Sequence, residues 1–302
     1  MNQHILLTGA TGMLGKQLIP SLLARGYQVS VLSRKPQQIK DVNVFLWDVN
    51  RQEIDVKCLI GVDSIIHLAG ENVSEGKWTE KRKKEIIDSR VLSAQLMMKT
   101  LSETKHQVKD FISAAAVGYY GDQGDQKLTE DHAPGNDFLA RCCVQWEAAA
   151  DELGKLGLRI AKIRTGVVLA KSDGALPVMS VPIKLFAGAP LGDGRQWVPW
   201  IHHQDLTAIY LHILENKTLS GVYNACAPFP VTNKMLTKAI AKQLHRPVWP
   251  INVPEAVMKM ILGEMSVIVL NSTRTSVQNI TNTGFRFSFE QLEQALADIY
   301  HS

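Results

Sequence analysis

Five residues, His4 to Thr8, form a short apolar run that meets Gly9-Ala10-Thr11-Gly12-Met13-Leu14-Gly15 with no linker between. A brief apolar run stopped by glycine reads as a buried strand, and Leu14, Leu18 and Leu22 beyond it lie on one face of a helix that Gly26 ends. Strand, three-glycine turn and helix in that order is the opening unit of a parallel α/β sheet. Pro20 falls inside this helix, where it removes a backbone hydrogen bond and is expected to bend it.

The alternation continues. Strands are expected at Tyr27–Leu32, Val44–Trp47, Ser64–Leu68, Asp110–Ala114 and Arg159–Ile163, with helices over about 79–104 and 138–156. Right-handed crossovers then give a doubly wound parallel sheet. After Gly166 the pattern changes: residues 172–200 are rich in Gly, Pro and Trp and carry no long periodic segment. A helix at Asp205–Glu215, a strand at Val222–Ala225 and three amphipathic helices near 232–244, 254–263 and 289–301 complete the chain. The expected division is a nucleotide-binding domain of residues 1–166, also using about 198–227. A smaller α-rich C-terminal substrate and cap region takes 167–197 and 228–302. No internal repeat is visible.

Composition narrows the function classes. With 302 residues, 45% hydrophobic and 21% charged, the chain can bury a large core. A net charge of +4 is too small for a nucleic-acid face. The densest basic stretch, Lys77 with Lys81 to Lys84, is interleaved with Glu80 and Glu85 and reads as a solvated helix face or a contact for an anionic ligand. Cys58, Cys142, Cys143 and Cys226 show no metal spacing, so no metal is expected and the thiols suit a reducing compartment. No run reaches the roughly 18 apolar residues of a membrane span, and the first apolar run is a strand rather than a signal peptide. A cytoplasmic location without membrane partners is expected.

The glycine turn carries the first chemistry. Gly9 permits the tight turn, Gly12 lets backbone approach a pyrophosphate, and Gly15 lets the helix pack close on the strand. The amides around Thr11, Met13 and Leu14 then face the phosphates from a helix N-terminus. NAD binders place an acid at the end of the second strand to hold the ribose hydroxyls, whereas this chain has Ser33-Arg34-Lys35. An acid would repel a 2′-phosphate; Ser33 can donate to one and Arg34 can pair with it, so the expected cofactor is NADP(H). Leu68, Ala69 and Gly70 end the fourth strand with small residues suited to a cofactor wall. Asp48 is open between facing the adenine and closing a turn.

These motifs resemble the extended short-chain dehydrogenase/reductases, and more closely the epimerase-family branch related to nucleotide-sugar epimerases. The matching segments span nearly the whole chain: GATGMLG, LSRKP, HLAGENV, AVGYYG, FLARCCVQWEAAA, RTGVVL, PLGDGRQW, PWIH and HRP. The resemblance implies a Rossmann-type fold and places Arg90, with Glu85 and Val168, near the cofactor. It also implies an engine that is absent. Aligned through Trp146-Glu147, the superfamily's catalytic tyrosine place falls on Leu139, its lysine place on Cys143, and its serine place near Ala114, with Ser113 alongside. Neither Leu139 nor Cys143 can exchange a proton as that pair does.

Other candidates are Tyr119 and Tyr120, each a proton donor or an aromatic wall at the sheet's carboxyl edge. Glu147 is expected to pair with a basic neighbour. Arg195, Trp197, Trp200 and His202 suit substrate recognition, with core filling open for Trp200 and helix capping open for His202. The expected function is an oxidoreductase or epimerase acting on a small polar substrate, a nucleotide sugar or a carbonyl compound. The alternative is a non-catalytic NADP(H)-binding regulator or redox sensor. A homodimer is left open.

Overall fold

The computed structural model describes residues 3–301. Along the chain come β1 (His4–Thr8), α1 (Met13–Ala24), β2 (Gln28–Ser33), β3 (Asn43–Asp48), β4 (Glu53–Ile54), β5 (Ser64–His67), α2 (Glu80–Glu103) and β6 (Asp110–Ala116). A 3₁₀ turn at Val117–Tyr120 leads to β7 (Lys127–Leu128), α3 (Phe138–Glu152), β8 (Arg159–Thr165), β9 (Val167–Leu169), α4 (Leu176–Lys184), β10 (Trp197–Val198) and β11 (Trp200–His202). The remainder is α5 (His203–Glu215), β12 (Gly221–Ala225), β13 (Val231–Thr232), α6 (Asn233–Gln243), α7 (Glu255–Leu262), α8 (Val267–Leu270), β14 (Arg274–Thr275), α9 (Gln278–Asn282) and α10 (Leu292–His301).

The central sheet has eight strands in the order β12-β8-β6-β5-β1-β2-β3-β4, parallel except for the antiparallel edge strand β4. The order reverses between β1 and β5, which puts the ligand crevice at their carboxyl ends. Side chains alternate across the sheet as strand geometry requires. Ile5 and Leu7 join Leu18 and Leu22 of α1 and Leu206 and Ile209 of α5 in one apolar layer. Leu6, Ile65 and Phe111 pack on the opposite face against Leu96 and Met97 of α2 and Ala150 of α3. The sheet is therefore wound on both faces, as the alternation of strands and helices predicts.

A third apolar cluster lies outside these layers. Leu169, Leu176, Ile183 and Trp200 meet Leu236 and Ile240 of α6 and Leu296 and Ile299 of α10. Its root is a seam where three passages of the chain bond to one another: Gly166 N–H donates to Ala225 O (3.1 Å), Val167 N–H to Pro199 O (2.7 Å) and Ala227 N–H to Trp200 O (2.6 Å). A Cβ on Gly166 would collide with the Pro199 carbonyl and the Cys226 sulfur, so only glycine fits there.

One local expectation changes. α4 stands in the segment read as aperiodic; its buried Leu176, Ser180 and Ile183 keep helical spacing, but Pro177, Pro182 and the surrounding glycines mask it. α1 runs through the exposed Pro20 to Ala24, close to the end expected at Gly26. No helix among the described residues is long and apolar enough to cross a membrane.

Candidate functional site

The turn after β1 is built against the end of β5. Gly9 has φ +68°, and a Cβ there would meet Leu68 C and O at 2.8 Å. Thr8, the buried last residue of β1, locks the two ends together: its Oγ1 accepts from Leu68 N–H and Ala69 N–H, each at 3.0 Å. It also shares a hydrogen bond with His67 Nδ1 (3.1 Å), whose Nε2 meets Ser93 Oγ at 3.0 Å. Burial lowers the His67 pKa to about 4, so this ring is a neutral core member.

Gly12 begins α1 with no side-chain cap, and a Cβ there would touch only Gly9 O, at 3.3 Å. The space over the turn is thus open, while Gly15 is the reverse: its Cβ would lie 2.6 Å from the Ala10 Cα. Thr11 is exposed, Met13 and Leu14 are half-buried, and the uncapped amides of this helix end suit a pyrophosphate. Val168 reaches the same end through Gly174, whose Cβ would sit 2.7 Å from Val168 O and 3.5 Å from Met13 Sδ. A dinucleotide fits a groove whose floor is bare backbone.

At the other end of the groove, Ser33 Oγ donates to Lys35 O (2.7 Å) and shapes the turn that presents Arg34. Arg34 Nη1 donates to Glu71 Oε1 at 2.8 Å. Glu85 is exposed on α2 and pairs with Arg82 at 3.2 Å, so it reaches this corner only through that arginine. Asp48 accepts from Asn50 and Arg51 N–H at 2.9 and 3.0 Å, which is turn closure. Arg90 is buried beneath Gly70, donates to Ile86 O and Glu71 O at 2.9 Å each, and stacks 4.9 Å from the Trp146 ring centre. It props the Leu68–Glu71 segment from below.

The catalytic candidates separate by burial. Tyr120 is fully buried; its hydroxyl donates to Asn224 Oδ1 (2.8 Å) and accepts from Arg164 Nη1 (2.9 Å). Burial pushes its pKa up to about 12. Ser113 is buried in β6 and spends its hydroxyl on Ala114 O (2.9 Å). Tyr119, next in the same 3₁₀ turn, is half-buried, with the Arg164 guanidinium 3.5 Å from its ring centre. That turn packs on the α3 face bearing Leu139 and Cys143: a Cβ on Gly118 would lie 3.4 Å from Leu139 Cβ and 3.8 Å from Cys143 Sγ. Burial raises the Cys143 thiol pKa far above its ordinary range, so it is no nucleophile. Glu147 is paired as expected, with Arg164 at 2.7 Å and Lys162 at 3.5 Å.

Of the four substrate candidates, two are interior. Trp200 is fully buried and donates to Phe229 O at 3.1 Å; buried His202 accepts from Gln204 N–H (3.2 Å) as the cap of α5. These are the core and capping roles left open above. Arg195 is exposed and Trp197 half-buried, its Nε1 donating to Asp125 at 2.7 Å and its ring stacked against Arg274 at 4.7 Å. Sequence reasoning missed Thr8, Glu71, Arg164 and Asn224. Only Glu71, the charged residue closing the HLAG segment, carried a readable signal.

The chain matches the family model described as the NAD dependent epimerase/dehydratase family over residues 5–226, and a domain of unknown function over residues 253–299. The epimerase family protein YfhF of Bacillus subtilis is 36% identical over 298 residues, covering 98% of this chain and 97% of that protein. The crystal structure of human epimerase family protein SDR39U1 with NADPH aligns at a TM-score of 0.87 and 30% identity, covering 99% of each chain. A Bacillus cereus UDP-glucuronic acid 4-epimerase, bound to its sugar nucleotide and NAD, shares the fold at a TM-score of 0.80 and 16% identity, covering 99% and 98%. By these matches the chain belongs to the NAD dependent epimerase/dehydratase family.

Proposed function

We propose that this chain binds NADP(H) and acts as an oxidoreductase or epimerase on a small polar substrate, a nucleotide sugar or a carbonyl compound, with Tyr119 as its proton-carrying hydroxyl. The observation that carries the cofactor choice is Ser33-Arg34 at the end of β2, where an acid would exclude a 2′-phosphate. The NADPH in the human relative's crystal supports it. Gly9, Gly12 and Gly15 with Thr11, Met13 and Leu14 hold the pyrophosphate, Arg34 the 2′-phosphate, and Leu68, Ala69 and Gly70 the wall. Val168 closes the far end, and Arg90 acts from beneath.

The bound cofactor supplies the hydride donor or acceptor. The protein's own part is proton handling and positioning. Tyr119 follows Gly118 in the turn that packs on the α3 face lacking the superfamily pair, and Arg164 holds its ring by cation–π contact. Arg195 and Trp197 on the rim recognise the polar substrate. Four free, buried cysteines fit a reducing compartment such as the cytoplasm.

One observation favours a second reading. With Leu139 and Cys143 in α3, the cofactor pocket persists without the usual engine, which is what a non-catalytic NADP(H) sensor would retain. Titration with NADPH and NADH, followed by a screen of carbonyl compounds and nucleotide sugars for NADPH consumption or isomer exchange, separates the two. Turnover abolished by a Tyr119 change supports the enzyme. Tight NADPH binding with no turnover across the screen supports the sensor.

A further inference from the structure

The 2′-phosphate corner already holds an anion of the chain's own. Arg34 follows β2 and Glu71 follows β5, the strands on either side of β1. Adjacent strands lie about 4.8 Å apart, so these two chain ends are about 10 Å apart with the glycine turn between them. The 2.8 Å Arg34–Glu71 ion pair therefore spans the adenosine end of the groove. The second Glu71 oxygen faces Arg82 Nη1 at 3.5 Å. Arg82 is fixed from below, its Nε donating to Glu75 O (3.2 Å) and its Nη2 to Asn72 O (2.9 Å). The Arg34 side chain is 75% exposed and that of Arg82 18%, so one partner of Glu71 is free to swing and the other is anchored.

We propose that Glu71 is an affinity- and specificity-determining residue whose carboxylate occupies the place on Arg34 that the 2′-phosphate takes. The inference rests on the NADP(H) reading above. Cofactor entry is then an exchange of anions. Arg34 turns to the phosphate, where a dianion offers it a stronger charge-assisted fork than the single charge of the half-buried Glu71 carboxylate does. Glu71 stays with Arg82, so no carboxylate is left without a partner. A cofactor lacking the phosphate has nothing to offer Arg34 and leaves the pair closed. Glu71 therefore weakens NADPH binding and leaves NADH binding alone, keeping NADP(H) exchangeable at a site built to hold it.

The test is calorimetric titration of wild type, Glu71→Gln and Glu71→Ala with NADPH, NADH, adenosine 2′,5′-bisphosphate and AMP, at low and high salt. Both variants should bind NADPH and the bisphosphate about two- to fivefold more tightly at low salt, the size of one exposed ion pair. NADH and AMP affinities should not move, and the gain should shrink at high salt. The alanine variant guards against a new hydrogen bond from the glutamine amide. Unchanged or weaker NADPH binding in both variants overturns the proposal, a loss being what a mere prop for Arg34 would give. If wild type prefers NADPH and the variants gain nothing, this inference alone falls. If wild type binds NADPH no more tightly than NADH, the cofactor reading falls with it.

Discussion

Arg164 is gripped by both carboxylate oxygens of Glu147, at 2.7 and 3.1 Å, and lies 3.5 Å below the centre of the Tyr119 ring. Its Nη1 donates to the Tyr120 hydroxyl and to Glu130 O, so every guanidinium nitrogen has a partner inside the protein. Burial alone would lower its pKa, but the Glu147 contact outweighs this and raises it. Glu147→Ala strands that buried charge and should cost about 3–5 kcal/mol of stability. Chemical denaturation measures it; a loss below about 1 kcal/mol would show that the Arg164 charge is not stranded when Glu147 is removed.

The two neighbouring tyrosines should fail differently. Tyr120→Phe removes the partner of Arg164 and Asn224 and should destabilise by about 1–3 kcal/mol, an effect read as a lower denaturation midpoint. Tyr119→Phe should leave stability and NADPH affinity intact while kcat falls about 10²–10⁴-fold on an active substrate. A rise in KM with kcat unchanged would make Tyr119 an aromatic wall.

The glycines of the turn divide between binding and folding. The Cβ of Gly12→Val meets only one backbone oxygen, so the variant should fold; its side chain would fill the space proposed for the pyrophosphate and should abolish nucleotide binding. Gly15→Val drives into Ala10 backbone and should lower Tm whether or not nucleotide is present. Nucleotide binding by folded Gly12→Val protein would put the phosphates elsewhere.

Arg34→Asp should weaken NADPH about 10- to 150-fold, the loss of one charge-assisted contact of about 1.5–3 kcal/mol. NADH should be held equally well or better, since an acid then stands at the end of β2. Equal NADPH and NADH affinities in wild type, read by nucleotide fluorescence, would remove the basis for this expectation.

His67 makes stability depend on pH. In the unfolded chain its pKa is about 6.5, and burial lowers it to about 4 in the fold. Above pH 6.5 the ring is neutral in both states and folding gains in full. As pH falls from about 6.5 to 4, only the unfolded state takes up the proton, and about 3 kcal/mol is lost. His202, also lowered to about 4 by burial, adds to the same slope. His67→Gln should flatten the fall in Tm across this window without removing it. An unchanged slope would show that His67 does not titrate there.

The sheet was legible because its signals are local. Each strand is a short apolar run between turn residues, and β1 announces its own place through the glycines after it. The outer layer was harder because its order is not local: β9 pairs with β11, and β10 with β13, each across about thirty residues. A three-residue strand has no pattern of its own, and its partner decides it. The same holds for the site. Tyr119 and Tyr120 are adjacent and chemically alike, and only the 3₁₀ turn sends one into the interior. Trp200 and His202 look like recognition residues by type, but their neighbours at Phe229 and Gln204 make one core and the other a cap.

The seam at Gly166, Pro199 and Ala225 also sets how the outer layer can move. Three passages of backbone are tied there, and none can lengthen without breaking a bond to another. A slide of the layer carrying Trp200 and α6 along the sheet would break these bonds together. The third apolar cluster is thus hung from the sheet by its backbone as well as by its side-chain packing.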